Sequence, residues 1–268
     1  MAWVLDLDGV IWRGSDPIPG SAEAVGRLRA AGEEVWFVTN NAYPPASEVA
    51  AKLVAQGIDP GERLVTSPMA VARLVGDGER VLACAGPGVF ETLRARGLDV
   101  VDAADAGDEG RPFDVVVVGL HRDFDYRRLA AAADAARSGA RLIATNDDTT
   151  YPAEGGQLQP GAGALLAAVV SASGATATIA GKPYPPMVDL VRELAGPQGI
   201  AVGDRADTDG RFARALGYRF GLVLTGVTGV GGLPVDPSPD EVAPDLAALV
   251  DRISADWAGT PEDRAGPN

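Results

Sequence analysis

The segment VLDLDGV at residues 4–10 is the most informative part of the chain, because two acids follow an apolar run close to its start. An apolar run that ends in Asp-x-Asp-Gly predicts a buried strand followed by a turn, with Asp6 and Asp8 on one side of the strand end. Two carboxylates this close repel each other unless a cation or a shared proton relieves them. The pair indicates a divalent metal site or two carboxyls with separated pKa values, and an ordinary strand and turn remains the alternative.

The composition limits the classes of partner. The chain has 268 residues, 46% of them hydrophobic, and a net charge of −14, which suits a globular core and argues against binding nucleic acid or an anionic membrane surface. The single cysteine, Cys84, excludes an internal disulfide and fits a reducing cytoplasm, and its apolar neighbours predict a buried strand position. No apolar run reaches bilayer length and no leader precedes the first strand, so we expect a cytoplasmic protein without a membrane partner.

Apolar runs of strand length alternate with amphipathic or alanine-rich segments. The strand candidates are residues 3–5, 35–38, 81–83, 115–118, 142–144, 200–202 and 221–224. The helix candidates are residues 21–31, 46–56, 87–96, 126–137, 161–172, 184–194 and 206–216. This alternation predicts an α/β fold of the doubly wound, Rossmann-like kind with parallel sheet and crossover helices. The strand candidates exceed the needs of one such unit, so two α/β domains are expected, with loops at 102–112 and 152–160 and a frayed C-terminal tail.

Polar residues also follow three further apolar runs. Thr39 and Asn40 follow the run 35–38, Lys182 follows a run that ends at residue 180, and Asp204 and Asp209 follow the run 200–202. In an open parallel sheet the carboxyl ends of the strands share one edge, so these groups are expected to gather there. A hydroxyl, backbone N–H groups and an ammonium suit a phosphate, and facing carboxylates suit Mg²⁺. Together they indicate phosphoryl transfer.

In this order the four segments resemble the four motifs of the haloacid dehalogenase superfamily of phosphatases. More narrowly, the chain resembles the NagD-like subclass, called IIa. The segments that carry the resemblance are DLDGV with IPG at 18–20, VTNN at 38–41, GKP at 181–183 and GDRADTD at 203–209. The resemblance implies a catalytic core of residues 1–76 and 179–268 and an inserted α/β cap domain of the C2 type at residues 77–178.

The resemblance also implies catalytic roles. Asp6 would attack phosphorus and form an aspartyl-phosphate. Asp8 would protonate the leaving alkoxide and then deprotonate the water that hydrolyses the intermediate. Trp12 and Arg13 would belong to a short flap beside the site.

The resemblance further implies how a metal and a phosphate would be bound. Mg²⁺ would be held by the Asp6 carboxylate, the backbone carbonyl of Asp8 and the Asp204 carboxylate, with Asp209 orienting one of its water ligands. The phosphoryl oxygens would be bound by Thr39 and the Asn40 backbone. Lys182 would neutralise their charge and keep Asp6 ionised.

The cap would choose the substrate, and here the expectations are less specific. Asn146, Asp148 and Tyr151 lie on the segment that in relatives reaches the substrate. His121 departs from an acid that stands in many relatives, and we expect an exposed cap histidine rather than a catalytic base.

The resemblance implies hydrolysis of a small phosphorylated metabolite, with p-nitrophenyl phosphate as a generic substrate. A polyol or sugar phosphate such as glycerol 3-phosphate is favoured, because the cap segment has no aromatic pair to stack a base or pyridine ring. The alternatives are a pyridoxal phosphate or nucleoside monophosphate phosphatase, a phosphotransferase or mutase of the same superfamily, and a phosphate-binding or receiver-type module. Cap-to-cap dimers among relatives make a homodimer a further expectation.

Overall fold

The structure is a computed structural model that describes residues 1–107, 111–152 and 158–258 of the chain. The strands are β1 Ala2–Leu5, β2 Trp12–Arg13, β3 Asp16–Pro17, β4 Glu34–Thr39, β5 Leu64–Thr66, β6 Arg80–Cys84, β7 Asp99–Asp102, β8 Val115–Val118, β9 Arg141–Ala144, β10 Thr150–Pro152, β11 Leu158–Pro160, β12 Ala177–Ile179, β13 Gly199–Gly203, β14 Arg219–Val223 and β15 Glu241–Ala243. The α-helices are α1 Ser21–Ala30, α2 Ala46–Ala55, α3 Ser67–Leu74, α4 Pro87–Ala95, α5 Tyr126–Arg137, α6 Ala162–Ser173, α7 Pro185–Ala195, α8 Arg211–Leu216 and α9 Leu246–Ala258.

The described residues divide into two compact units. The first comprises Met1–Phe37, Gln56–Ile58 and the described residues from Ala195 onward, and the second comprises Val38–Ala55 and Asp59–Leu194. The predicted boundary of a cap at residues 77–178 stays a prediction.

One sheet has six strands in the order β15-β14-β13-β1-β4-β5. Strand β1 is parallel to both of its neighbours, with Leu5 opposite Val202 on β13 and Phe37 on β4. Every residue of β1 is buried, as expected for a central strand of a parallel sheet that is covered on both faces.

A second sheet has five parallel strands in the order β12-β9-β8-β6-β7. Its central strand β8 is a run of four valines, each fully buried, which fits the preference of β-branched side chains for a pleated, covered surface. Cys84 ends the neighbouring strand β6 and is also fully buried, as its apolar neighbours predicted. Burial raises the pKa of its thiol to about 12.

The predicted α/β architecture with parallel sheets is therefore confirmed. Helix α5 has the bounds that the sequence predicted, and it begins where the Asp125 carboxylate accepts a hydrogen bond of 2.8 Å from the Arg128 backbone N–H, a side-chain N-cap. The predicted helix at 206–216 is a π-helical turn, Ala206–Gly210, followed by α8.

One expectation about the edge of the sheet was wrong. The strand that precedes Lys182 is β12, and β12 belongs to the five-stranded sheet rather than to the sheet that contains β1 and β13. The four polar segments therefore do not all follow strands of a single sheet. The physical reason is that an apolar run specifies a strand but not the sheet in which that strand pairs.

Several elements were not predicted. They are β5, β7, β15, α3, α9 and the hairpin of β10 and β11. The end of β10 and the whole of β11 fall within the predicted loop at 152–160. Residues 153–157 of that loop, residues 108–110 of the other predicted loop, and the tail beyond residue 258 lie outside the described residues. In the described part of the chain, no helix is both long enough and apolar enough to span a bilayer.

Candidate active site

Three carboxylates of the first unit lie close together. Asp6 follows β1, Asp204 follows β13, and Asp209 lies in the π-helical turn, and one oxygen from each lies within 4.8 Å of the others. The backbone N–H of Asp6 donates to the carbonyl oxygen of Val202 at 2.9 Å, so the ladder between β1 and β13 continues to the first acid. Adjacent parallel strands thus bring Asp6 close to two acids that lie 198 and 203 residues after it in the sequence.

Glycines let the backbone approach these carboxylates closely. A Cβ atom on Gly9, whose φ is +84°, would lie 2.5 Å from Cγ of Asp204, and one on Gly203 would lie 2.2 Å from Cγ of Asp209. Real Cβ atoms do not come so near to another carbon, so no larger residue fits at either position without moving an acid.

The donor set suits a hard divalent cation. Asp204 and Asp209 are only 3% and 4% exposed, and Asp6 is half-buried. Burial of like charges this close together is costly unless a cation compensates them. Oxygen ligands, with room for water and a phosphate oxygen, are the set that Mg²⁺ takes in phosphoryl-transfer sites. The residues present therefore fit the metal that the sequence predicted.

Asp8 is not part of this group of three and has a different neighbour. Its Oδ1 accepts a hydrogen bond of 3.0 Å from the indole Nε1–H of Trp12. Trp12 begins the hairpin of β2 and β3, which is where the sequence predicted a flap. The contact between Asp8 and the indole was not predicted, although the spacing of four residues beside a turn could have suggested it.

In the second unit Asn40 holds the backbone of Lys182. The amide oxygen of Asn40 accepts from the Lys182 N–H at 2.7 Å, and its Nδ2 donates to the Lys182 carbonyl oxygen at 3.0 Å. Thr39, Asn40 and Lys182 are at most 9% exposed. Thr39 Oγ1 accepts from the Asn41 N–H at 3.0 Å. The structure thus joins Asn40 and Lys182 in one buried polar group, and Thr39 is buried next to Asn40 in the chain.

Two of the predicted specificity residues also belong to this group. Asn146 Nδ2 donates to the Asn40 carbonyl oxygen at 2.8 Å, and Asp148 Oδ2 accepts from Asn40 Nδ2 at 3.3 Å. The hydroxyl of Ser67 donates to the same Asn40 carbonyl at 2.9 Å. Ser67 was not among the predicted residues.

Tyr151 lies elsewhere, on the hairpin strand β10, where its hydroxyl donates to Gln159 Oε1 at 2.7 Å. His121 is half-buried rather than exposed, and its Nδ1 accepts from the Asp123 N–H at 3.1 Å. Burial lowers the pKa of His121, and the nearby guanidinium of Arg128 lowers it further against three surrounding carboxylates.

Comparisons with known proteins point to one family. Residues 3–99 match the family model described as "Haloacid dehalogenase-like hydrolase", and residues 179–249 match a second model of HAD-like hydrolases. Three curated relatives each align with 84% of this chain. Human chronophin is 34% identical with 81% of its length covered, D-glycerol 3-phosphate phosphatase of Mycobacterium tuberculosis is 39% identical with 63% covered, and acid sugar phosphatase of Staphylococcus haemolyticus is 35% identical with 86% covered.

Two solved structures of phosphatases superpose closely on this chain. The p-nitrophenyl phosphatase from Archaeoglobus fulgidus superposes with a TM-score of 0.83 at 29% identity, covering 94% of this chain and 98% of that one. The glycerol phosphate phosphatase from Mycobacterium tuberculosis in complex with magnesium superposes with a TM-score of 0.82 at 36% identity, covering 92% of this chain and 75% of that one.

Proposed function

This chain belongs to the haloacid dehalogenase-like hydrolases, in the NagD-like subclass, and is a Mg²⁺-dependent phosphoric monoester hydrolase; from that premise we propose that its substrate is a small polyol or sugar phosphate such as glycerol 3-phosphate. The observation that carries phosphate-ester chemistry is the group of Asp6, Asp204 and Asp209, in which one carboxylate oxygen from each lies within 4.8 Å of the others. Such a group can hold the cation that a phosphate ester needs. The names of two relatives, a glycerol phosphate phosphatase and an acid sugar phosphatase, support the choice of substrate class.

In the proposed first step Asp6 is the nucleophile. A carboxylate oxygen of Asp6 forms a bond to phosphorus while the bond from phosphorus to the alcohol oxygen breaks. The Asp8 carboxyl gives its proton to the departing alkoxide, so the alcohol leaves neutral. The hydrogen bond from Trp12 fixes the orientation of Asp8 for this transfer.

In the proposed second step Asp8 acts as a base. Its carboxylate takes a proton from a water molecule whose oxygen attacks phosphorus, and the bond between phosphorus and Asp6 breaks. Inorganic phosphate leaves, Asp6 is again a carboxylate, and Asp8 is again protonated.

The proposed phosphate-binding residues are Thr39, the Asn40 backbone and Lys182. Thr39 is the last residue of the strand next to β1, and it would bind a phosphoryl oxygen. Lys182 would offset the negative charge. The two hydrogen bonds between the Asn40 side chain and the Lys182 backbone fix that backbone before substrate arrives, so little reorganisation is needed during the reaction.

Mg²⁺ would be held by the carboxylates of Asp6 and Asp204 and the backbone carbonyl of Asp8, and Asp209 would orient one of its waters. When bound, the ion neutralises the phosphoryl oxygens and reduces their repulsion of the attacking carboxylate. Asp209 accepts a hydrogen bond of 3.2 Å from the Arg205 backbone N–H, which fixes its direction.

We further propose that residues 77–178 form an inserted cap. The five-stranded sheet, built from strands between Arg80 and Ile179, supports that boundary. Asn146, Asp148 and Tyr151 are the proposed specificity residues. A homodimer through the cap and a cytoplasmic location are also proposed, and light scattering of the purified protein tests the first.

The test is release of inorganic phosphate from p-nitrophenyl phosphate, glycerol 3-phosphate, sugar phosphates, pyridoxal phosphate and a nucleoside monophosphate, each with Mg²⁺ and with EDTA. Wild type should act on the polyol or sugar esters best, and Asp6→Asn should lower turnover at least about 10³-fold because it removes the nucleophile. Asp16→Asn, an exposed acid on β3, is the matched control and should leave turnover unchanged.

The alternatives give different results. A preference for pyridoxal phosphate or a nucleotide would contradict the substrate class. Release of alcohol in excess of phosphate would indicate transfer to an acceptor rather than hydrolysis. Full activity of Asp6→Asn would exclude the aspartyl-phosphate mechanism.

A further inference from the structure

The turn at residues 225–228, which follows β14, contacts the proposed metal ligand Asp204. The backbone N–H of Val227 donates to Asp204 Oδ2, and the N–H of Thr228 donates to the Asp204 carbonyl oxygen at 3.2 Å. A Cβ atom on Gly226 would lie only 1.9 Å from Oδ2 of Asp204. The turn can therefore reach the carboxylate only because residue 226 is glycine.

The same turn is tied to the segment that follows the nucleophile. The Thr225 hydroxyl donates to the Gly9 carbonyl oxygen at 2.5 Å, and the Arg13 guanidinium donates to the Thr225 carbonyl oxygen. Gly9 approaches Asp204 as well. The Asp204 carboxylate thus has the backbone of Gly9 and that of Gly226 close to it, and a hydroxyl links the two segments.

We propose that the 225–228 turn restricts Asp204 to binding a cation through one oxygen, and that Gly226 and Thr225 are thereby positioning residues for selection of Mg²⁺ over Ca²⁺. The inference rests on the proposed function, because it takes Asp204 as a metal ligand. The turn lies after the last of the four sequence motifs and belongs to none of them.

The physical argument concerns the number of oxygens that the carboxylate can offer. An oxygen that accepts an amide hydrogen bond has less electron density and less free space for a cation. Mg²⁺ takes near-octahedral geometry at 2.0–2.1 Å and needs only one oxygen from each carboxylate, whereas Ca²⁺ takes six to eight ligands and often binds a carboxylate through both oxygens. A carboxylate held through Oδ2 therefore disfavours the larger ion.

The experiment compares two glycines of one loop. Gly226→Ala adds a methyl group against Asp204, whereas a Cβ on Gly229 meets nothing within 4 Å. Gly226 lacks the positive φ that would strain alanine, and Gly229 has a φ of −98°, so neither position requires a φ that alanine avoids. The dissociation constants of Mg²⁺ and Ca²⁺ are measured by calorimetry on the metal-free full chain.

We expect Gly226→Ala to raise the Mg²⁺ dissociation constant about tenfold or more, in the range typical of residues that orient metal ligands. The Ca²⁺ constant should change less, so the preference for Mg²⁺ falls, while Gly229→Ala matches wild type in both constants. An unchanged ratio of the two constants in Gly226→Ala would overturn the inference.

Thr225→Val provides an independent test if Gly226→Ala fails to fold. It keeps the shape of the side chain and removes the hydroxyl that bonds Gly9, and the same change in the ratio, smaller in size, is expected. No change in the ratio in that variant would count equally against the inference.

Asp204→Asn separates this inference from the proposed function. Loss of Mg²⁺ binding in Asp204→Asn supports the proposed metal site, whatever Gly226→Ala does. Unchanged binding in Asp204→Asn would refute the metal site and this inference with it.

Discussion

The chain contains two groups of polar, largely buried residues. One group consists of Asp6, Asp204 and Asp209, and the other surrounds Asn40 and Lys182. Side-chain carboxylates are held in the first group, and the backbone of a lysine is held in the second. In the first group, glycine backbone lies directly against the carboxylates. In the second, the Asn40 side chain holds the backbone of Lys182 through two hydrogen bonds.

The two groups should therefore be disrupted by different kinds of substitution. The carboxylate group depends on neighbouring glycines that have no side chain, so a larger residue at one of those positions should displace the acids. The second depends on a complementary amide, so loss of hydrogen bonds should release the lysine.

Among substitutions that leave the proposed catalytic acids intact, the largest effect should come from Asn40→Ala, which removes both hydrogen bonds to Lys182. Each buried backbone group left without a partner costs about 1–3 kcal/mol, so we expect the free energy of unfolding to fall by about 2 kcal/mol or more. A lysine displaced by about 1 Å should lower kcat/KM about 100-fold. Urea denaturation and steady-state kinetics give the two values.

Asn41→Ala is the control for that experiment. Asn41 is exposed, and its side chain accepts from the Tyr43 N–H at 3.2 Å, so its loss should cost little stability. Equal losses of activity in the two variants would mean that Asn40 does not act through Lys182.

A pair of glycine substitutions should separate the two groups, each with an effect of about tenfold. A Cβ on Gly203 would press on Asp209, and one on Gly181 would lie 2.5 Å from Oδ1 of Asn40. We expect Gly203→Ala to raise the Mg²⁺ concentration needed for half-maximal activity. Gly181→Ala should instead raise KM and weaken inhibition by inorganic phosphate.

The pair works as its own control, because each glycine tests one group. If Gly203→Ala weakened phosphate binding and left the requirement for Mg²⁺ unchanged, the assignment of the two groups would be reversed. If both variants changed the Mg²⁺ requirement and phosphate binding equally, the two groups would not have separate roles.

The sequence was most informative where a residue's role depends on its own strand. Asp6 and Asp204 could be placed at strand ends because an apolar run followed by an acid specifies both the strand and its end. Helix α5 could be bounded because Asp125 is a local N-cap. These are signals carried within a few neighbouring residues.

The sequence was least informative where a role depends on a distant contact. The pairing of Asn40 with Lys182 joins residues 142 apart in sequence, and the choice of sheet for β12 depends on its neighbour β9. The turn at 225–228 did carry a signal, a threonine and a glycine immediately after a strand run. Nothing local, however, says that this glycine lies against Asp204.

The smallest effect should come from Asp240, a carboxylate that contacts neither group. Its Oδ2 accepts from the Phe220 N–H and from the Arg214 guanidinium, both at 2.7 Å. Burial alone would raise the pKa of Asp240, but the Phe220 amide and Arg214 together lower it. A carboxyl whose pKa is lower in the folded state stabilises the protein at pH values above its unfolded-state pKa, which is near 3.9 for an aspartate. That stabilisation is lost as the pH falls through the folded-state pKa.

Asp240→Asn should therefore lower the free energy of unfolding by about 1 kcal/mol at pH 7, a small value because solvent screens the pair. The difference from wild type should shrink below about pH 4, where both chains carry a neutral side chain at this position. Asp236→Asn, on the same exposed segment, is the control and should leave stability unchanged.

Because Asp240 touches neither group, kcat and the Mg²⁺ requirement should stay at wild-type values. A change in either would show that stability alone alters catalysis, and the variants of Gly203, Gly181 and Asn40 would then need correction for that effect before they could distinguish the two groups.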